Sequence, residues 1–208
     1  MTDVTRKKFE SRARGSRVER VVSAGDLSDE ALVVLLRARD ERGFDGAYAR
    51  YSANIFGFLL RLGRSRALAE DLFQHTFLRL AERGPELAPG SELRAWLFAV
   101  ARNAFHSQAR ASAVAARATD FVPPPQTPYG ADAVLALTEL ERALARLETS
   151  DRELLLLIGV EGLGHAEVAG MLRIDLAALR KRLSRARARL ADALDELEFD
   201  VRNSKVER

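Results

Sequence analysis

The sequence predicts an all-α protein of two small helical domains joined by a flexible linker, with a helix-turn-helix in the C-terminal domain. Three observations lead to this fold class. Leu, Ala and Arg dominate the chain and aromatic residues make up only 7% of it, a composition that favours helices. Apolar residues recur three or four positions apart in successive segments, which is the spacing of one helix face. Between residues 113 and 131 this periodicity fails, and four of the six prolines lie there, as expected of a linker.

The composition of the whole chain limits the classes of protein to consider. The 208 residues are enough for one or two small domains. The absence of cysteine excludes disulfides and thiolate metal sites and fits a reducing compartment. No apolar run is long enough to span a bilayer, and the charged N-terminus lacks the apolar stretch of a secretory signal. We therefore expect a cytoplasmic protein without a membrane segment.

The first predicted domain covers residues 28–112 and follows a basic arm. The arm, residues 1–27, is expected to be disordered, because its first 25 residues carry seven Lys or Arg against three Asp or Glu and few apolar residues. The predicted helices of the domain, each ended by a glycine or begun at a capping serine, span about 28–43, 45–62, 66–83 and 92–115.

The third helix carries a polar patch opposite its apolar stripe. Its sequence AEDLFQHTFLRLAER places Glu70, Asp71 and Gln74 away from the densest apolar positions. From the residues alone, a solvated surface is the favoured interpretation of this patch.

The fourth helix combines an aromatic residue with arginines on one side. Helical spacing predicts Leu93 and Trp96 on its inward face and places Phe98 with Arg102 and His106 on the opposite face. An exposed ring beside guanidinium groups suits single-stranded nucleic acid, because bases stack on the ring while phosphates pair with the cations. The alternative, equally supported, is that Phe98 packs on a neighbouring helix.

The second predicted domain covers residues 132–197 and contains the helix-turn-helix. Two helices, about 132–147 and 151–161, precede it, and a polar tail at 198–208 follows. Two further helical patterns flank a short break that ends at Asp175, a good N-cap for the second of them. From residue 176 to residue 190 there are six basic residues and no acidic one. This arrangement is typical of a DNA-binding helix-turn-helix.

The basic helix offers candidates for two kinds of DNA contact. Lys181, Ser184 and Arg185 lie opposite its apolar stripe and are the candidates for base edges in the major groove. Arg180 and Arg182 flank the stripe and would hold phosphates. The alternative is an ordinary surface helix, which the missing acidic partners disfavour.

Three segments in a fixed order resemble a known family. AEDLFQHTFLRL at 69–80, RAWLFAVARN at 94–103 and the stretch from 147 to 190 are similar to the conserved segments of extracytoplasmic-function (ECF) sigma factors. These are dissociable promoter-recognition subunits of bacterial RNA polymerase. In this resemblance residues 28–112 correspond to sigma region 2 and residues 132–197 to sigma region 4.

The resemblance implies partners and roles for the residues singled out above. Asp71 and Gln74 match positions that bind the coiled coil of the polymerase β′ subunit. The implied partners are core RNA polymerase, through its β′ coiled coil and β flap, promoter DNA and an anti-sigma factor. The family has no catalytic residues, metal site or cofactor, so an enzyme is not expected.

The fourth helix and the basic helix match two different promoter contacts in this family. Arg94, Phe98, Arg102 and Asn103 match the segment that melts the promoter, where an unstacked base enters a protein pocket. The basic helix matches the reader of the upstream element in duplex form. Arg173 departs from the pattern, because the family often has glycine in this turn. The main alternative is a helix-turn-helix transcription regulator that acts without being a polymerase subunit.

Overall fold

The computed structural model describes residues 27–111 and 131–206, and every regular element within them is helical. The predicted all-α class is thus confirmed. Besides the α-helices there is a 3-10 turn at Gly84–Glu86 and a π-helical turn at Leu156–Val160. The eight α-helices are α1 Asp29–Arg37, α2 Glu41–Gly63, α3 Arg66–Arg83, α4 Leu93–Ala111, α5 Ala131–Arg146, α6 Thr149–Leu155, α7 His165–Leu172 and α8 Leu176–Val206.

Side-chain caps begin several of these helices where the sequence predicts them. The Ser65 hydroxyl accepts a hydrogen bond from the Leu68 amide at 3.4 Å and begins α3. The Asp175 carboxylate accepts one from the Ala178 amide at 2.7 Å and begins α8. Each cap satisfies one of the amide groups that a first helical turn leaves without a partner.

The first helix is shorter than predicted. It ends at Arg37 instead of Gly43, because Arg39 adopts a left-handed conformation with φ 57° and Asp40 caps a new helix through the Arg42 amide. Gly43 lies inside α2, where a Cβ would approach the Leu36 amide nitrogen to 2.6 Å. The glycine therefore allows α1 and α2 to cross closely and does not end a helix.

The first domain packs α1 to α4 around an apolar core. The rings of Phe58 on α2 and Phe98 on α4 meet edge to face, with their centroids 5.4 Å apart and their planes at 78°. Leu32, Leu80 and Leu97 complete the centre of this core, and all five side chains are fully buried. This packing sets the orientation of α4 relative to α2.

The second domain is organised around α6, whose buried Arg152 holds the end of α5. Its Nε donates to the Leu144 carbonyl at 2.9 Å and its Nη2 to the Leu147 carbonyl at 2.7 Å. Burial, together with a smaller contribution from the neighbouring positive charge of Arg64, lowers the pKa of Arg152 to about 10, so the guanidinium stays charged at neutral pH. A charged donor thereby satisfies carbonyls that a helix C-terminus leaves unpaired.

The helix-turn-helix consists of α7, a tight turn and α8. Arg173 in the turn has φ 54°, the left-handed conformation that glycine adopts most readily. Val168 on α7 and Leu179 and Leu183 on α8 are buried between the two helices. The apolar stripe predicted for the basic helix thus faces inward.

Several expectations fall at the margins of the described residues. Helix α8 continues through Val206, so much of the predicted polar tail at 198–208 belongs to this helix. The basic arm, predicted disordered over 1–27, and the linker, predicted over 113–131, lie almost entirely outside the described residues. The fourth helix, predicted to residue 115, is described to Ala111.

Candidate nucleic-acid interface

The N-terminal half of α8 presents an exposed basic surface, which we call the recognition face. Its buried side carries Leu179, Leu183 and Ala186, so the remaining positions are turned outward. Ser184 and Arg185 lie three and four residues after Lys181, so the three residues predicted to contact base edges share one side of the helix. The exposed side chains of the recognition face are Arg180, Lys181, Arg182, Ser184 and Arg185. These five predicted residues therefore lie together on one element.

One further arginine of α8 has an internal partner. Arg189 forms an ion pair with Asp151, which is buried on α6. The basic character of the recognition face thus lies mainly between residues 180 and 187. The first acidic residue of α8 is Asp192, beyond this surface.

Helix α4 brings together only part of the predicted melting residues. Asn103 is exposed, and its side-chain oxygen accepts a hydrogen bond from Arg102 Nη1 at 3.3 Å. Arg94 and Arg102 are half-buried. The expectation of an exposed ring at Phe98 is wrong, because this side chain is fully buried against Phe58. The equally weighted alternative, packing on a neighbouring helix, describes the structure.

Arg102 and His106 both face a carboxylate of the second domain. Arg102 Nε lies 2.6 Å from Glu153 Oε1 and His106 Nε2 lies 2.9 Å from the same oxygen. The side chain of Glu153 is 5% exposed. The Nε–H of Arg102 does not point along a hydrogen-bond direction, so this contact is an ion pair without an aligned hydrogen bond. No local sequence signal points to Glu153, because it lies 47 or more residues away from these two side chains along the chain.

A second carboxylate of that domain lies near Arg94. Glu161 is 3% exposed and accepts a hydrogen bond from Asn54 Nδ2 at 3.0 Å. Burial raises the pKa of Glu161, while the bond from Asn54 and the positive charges of Arg61 and Arg94 oppose that rise. Arg102 and Arg94 of α4 therefore each lie near one buried acid of the second domain, Glu153 and Glu161 respectively.

The polar patch of α3 is exposed in the structure. Asp71 and Gln74 are both exposed, and Leu78, four residues after Gln74, is 56% exposed. These residues are three, four and seven positions apart, so they share one helix face, which we call the α3 face. Leu78 was not singled out by sequence. Its position outside the apolar stripe of Leu72 and Leu80 was the available signal.

Other kinds of site have no support in the described parts of the chain. Residues 27–111 and 131–206 contain no group of three or more His, Cys, Asp or Glu side chains placed to hold a metal ion. None of the helices in those two ranges is long and apolar enough to cross a bilayer.

Comparison with protein families matches both domains. Residues 47–114 match the family Sigma-70 region 2, and residues 137–190 match Sigma-70, region 4. The first match covers most of α2 and all of α3 and α4, including the α3 face. The second covers the helix-turn-helix and the recognition face.

Individual relatives are similar over most of the chain. RNA polymerase sigma factor CarQ of Myxococcus xanthus is 34% identical over 79% of this chain and 98% of its own length. The ECF RNA polymerase sigma factor SigM of Bacillus subtilis is 32% identical over 70% of this chain and 91% of its own length. EcfG of Rhodopseudomonas palustris, another ECF sigma factor, is 31% identical over 66% of this chain and 77% of its own length.

Solved structures share the fold. RpoE of Bartonella quintana, in complex with the anti-sigma factor NepR, matches with a TM-score of 0.63 at 29% identity, over 73% of this chain and 96% of the other. CnrH in complex with the cytosolic domain of CnrY has a TM-score of 0.62 at 24% identity, over 81% of this chain and 97% of the other. With both sigma regions in order and relatives matched over nearly their full length, the chain belongs to the sigma-70 family as an ECF RNA polymerase sigma factor, a non-catalytic subunit that binds core polymerase and promoter DNA and directs transcription initiation.

Proposed function

We propose that this sigma factor uses three separate surfaces for polymerase binding, duplex recognition and promoter melting. The observation that carries the proposal is the separation of charge. The exposed polar residues of the α3 face lie on one domain, and the exposed cations of the recognition face lie on the other.

The α3 face is the proposed site for the β′ coiled coil of core polymerase. Asp71 and Gln74 supply an acceptor and an amide that remain exposed. Leu78, which is 56% exposed and lies one helical turn after Gln74 on the same face, adds an apolar anchor, the kind of contact that interface cores favour over isolated charges. A helix laid along this face would contact all three side chains. The β flap is proposed to bind the second domain.

The recognition face is the proposed reader of duplex DNA. Lys181, Ser184 and Arg185 would contact base edges, and a good bidentate contact discriminates against the wrong base by about 1–3 kcal/mol. Arg180 and Arg182 would neutralise phosphates, which makes binding depend on salt concentration. The exposure of all five side chains supports this assignment.

The melting surface is proposed to consist of Arg94, Arg102 and Asn103 on α4. Two guanidinium groups and one amide supply charge for phosphate and donors for an unstacked base. Phe98 has a different proposed role, because its ring is fully buried. Its ring packs α4 against Phe58 of α2, and the proposed base contacts are made by Arg94, Arg102 and Asn103.

An anti-sigma factor is a further proposed partner. RpoE of Bartonella quintana, which shares this fold, has been solved with the anti-sigma factor NepR. By this similarity we expect a protein that holds the two domains of this chain and competes with polymerase. We expect the sigma factor in the cytoplasm, because core RNA polymerase acts in that compartment.

Runoff transcription with purified core polymerase on a genomic promoter library tests the proposed function. Core with this chain should give discrete transcripts that core alone does not give. Asp71→Ala with Gln74→Ala should reduce capture by core polymerase while circular dichroism stays unchanged, because both side chains are exposed and surface changes affect folding little. Glu82→Ala, an exposed change at the far end of the same helix, is the matched control. Undiminished capture would remove the α3 face from the proposal.

A further inference from the structure

Three residues other than glycine adopt a left-handed backbone conformation in the described parts of the chain, and all three are arginines. Arg39, Arg64 and Arg173 have φ of 57°, 54° and 54°. In this region the Cβ of a residue approaches the carbonyl oxygen that follows it, which destabilises the fold relative to glycine. A side chain that stays in such a position points to a role that offsets this cost.

Arg64 has a structural role of this kind, whereas Arg173 has none within the described residues. Arg64 ends α2, and its Nη1 donates to the Ala145 carbonyl at 3.1 Å. The Arg173 side chain is exposed, and its guanidinium has no hydrogen bond or ion pair to residues 27–111 or 131–206. Arg39, between α1 and α2, is likewise exposed and without a partner in these ranges. Arg39 and Arg173 therefore differ only in their surroundings.

Arg173 lies in the turn of the helix-turn-helix, two residues before the cap of α8 at Asp175. Its amide donates to the carbonyl of Gly170 at 3.2 Å, and Gly170 is exposed. A methyl group added at Gly170 would meet no atom within 4 Å, so the surface beside Arg173 is open. In a helix-turn-helix the second helix enters the major groove with its N-terminal residues, while the first helix crosses the DNA backbone. The turn between the two helices therefore lies next to a phosphate strand.

We propose that Arg173 binds a backbone phosphate beside the upstream element and thereby positions the recognition face on the duplex. This inference rests on the proposed role of the recognition face. A guanidinium suits a phosphate, because it stays charged and presents its N–H donors in a planar fork. The contact carries no sequence information, so it acts on affinity and register alone. Glycine at this position would favour the fold and lose the contact, so stability and DNA binding make opposite demands on residue 173.

Three substitutions separate the charge of Arg173 from its backbone conformation. Arg173→Gly removes both the guanidinium and the unfavourable conformation, so its thermal midpoint should rise while DNA binding weakens. Arg173→Gln removes the charge and keeps a side chain in the left-handed region, so only DNA binding should change. Arg173→Lys keeps a positive charge and should stay near the wild type in both respects. Arg39→Gly is the matched control, because it changes the same conformation and the same charge in the other domain. It should stabilise the first domain without affecting DNA binding.

The salt dependence of promoter capture measures the proposed phosphate contact. Polymerase carrying each variant is titrated on the duplex promoter that gives the strongest transcript in the runoff library. Each neutralised phosphate makes the affinity vary with about the 0.9 power of the salt concentration. Arg173→Gly and Arg173→Gln should therefore lower the slope of log affinity against log salt by about 0.9. If the contact contributes nothing at 1 M salt, both variants should bind about eightfold more weakly than the wild type at 0.1 M.

Single methylphosphonate substitutions in the promoter locate the contact, because each removes the charge of one phosphate. The wild type should lose affinity at a phosphate that flanks the upstream element, and Arg173→Gln should lose none at that position. Base-pair changes in the upstream element, by contrast, should weaken the wild type and Arg173→Gln by the same factor, since a phosphate contact does not read sequence. This combination distinguishes a backbone contact from a base contact.

The outcomes separate this inference from the proposed function. Wild-type affinity and salt slope in Arg173→Gly and Arg173→Gln overturn the phosphate contact, and so does an equal loss by wild type and variants at every neutralised phosphate. Lys181→Ala with Arg185→Ala, measured in parallel, reports on the recognition face alone. If that double variant loses capture while Arg173→Gln does not, the inference is rejected and the proposed function stands. Undiminished capture by all of these variants rejects the recognition face and, with it, the role of Arg173.

Discussion

Replacement of Phe98 by alanine distinguishes a buried support from a base-stacking ring. The side chain is fully buried and meets Phe58 edge to face at 5.4 Å. Removing a buried phenylalanine ring costs about 3–5 kcal/mol, part of it from the lost aromatic pair, which contributes about 0.5–1.5 kcal/mol. Since small domains are stable by only about 5–15 kcal/mol, Phe98→Ala should bring the first domain close to unfolding.

The single tryptophan of the chain allows this domain to be followed separately. Trp96 lies on α4, two residues from Phe98, and packs half-buried against the core. Urea titration of its fluorescence should show a midpoint lowered by roughly 2 M, if the slope is near 2 kcal/mol per molar urea. Phe98→Leu should lose much less, because it refills most of the volume.

Asn103→Ala is the matched control on the same helix. Asn103 is exposed, so its replacement should change the free energy of unfolding by less than about 0.5 kcal/mol. An unfolding midpoint for Phe98→Ala equal to that of Asn103→Ala, together with lost strand opening, would refute the reasoning. It would mean that the ring leaves the core and stacks on a base.

Three other predictions follow from the same structure. Lys181→Ala with Arg185→Ala should abolish promoter capture on both paired and pre-melted templates. Asn103→Ala, by contrast, should capture paired DNA, fail to open it and recover on the pre-melted template, as permanganate reactivity of bubble thymines would show. Equal opening of paired DNA by Asn103→Ala and the wild type would argue against the melting surface. Arg173→Gly should raise the free energy of unfolding by about 1 kcal/mol, because a non-glycine residue in the left-handed region costs about 1–2 kcal/mol, and a thermal midpoint at or below that of the wild type would show that the arginine side chain compensates. Because burial raises the pKa of Glu161, the folded chain keeps the carboxyl proton to higher pH than the unfolded chain, so the stability that protonated Glu161 contributes at low pH is lost as pH rises through the raised pKa. Glu161→Gln should remove this loss of stability with rising pH, measured by urea titrations at stepwise pH. A pH profile of stability identical to that of the wild type would contradict the raised pKa of Glu161.

Local sequence patterns predicted the helix-turn-helix and its caps. Asp175 before a run of leucines three and four residues apart is a local signal, since both the cap and the stripe are set within one or two turns of helix. The same holds for Ser65 at the start of α3. The order of the three family segments predicted the class of protein, which the family matches confirm. The residues assigned to each surface remain proposals.

The burial of Phe98 was decided by tertiary packing. Helical spacing predicts Leu93 and Trp96 on the inward face of α4 and leaves two equally supported positions for Phe98, exposed or packed on a neighbouring helix. In the structure Leu93, Phe98 and Phe105 are buried, whereas Trp96 is only half-buried. Helical periodicity identifies candidate faces, but which face is buried depends on where α2 brings the ring of Phe58, and that position is not encoded within α4.

By itself the sequence determined the all-α class, the two-domain order and the chemical character of each surface, because these depend on neighbours within a few turns. Tertiary structure alone decided which charges are free. Glu153 is an ordinary acid in a helical segment of the sequence, yet it faces Arg102 and His106 across the domain contact. Likewise Arg152 was not singled out by sequence, and the structure shows it buried with its guanidinium donating to carbonyls of α5 and α2. The energy of a charge depends on burial and on partners brought from distant parts of the chain, and only the packed molecule defines these.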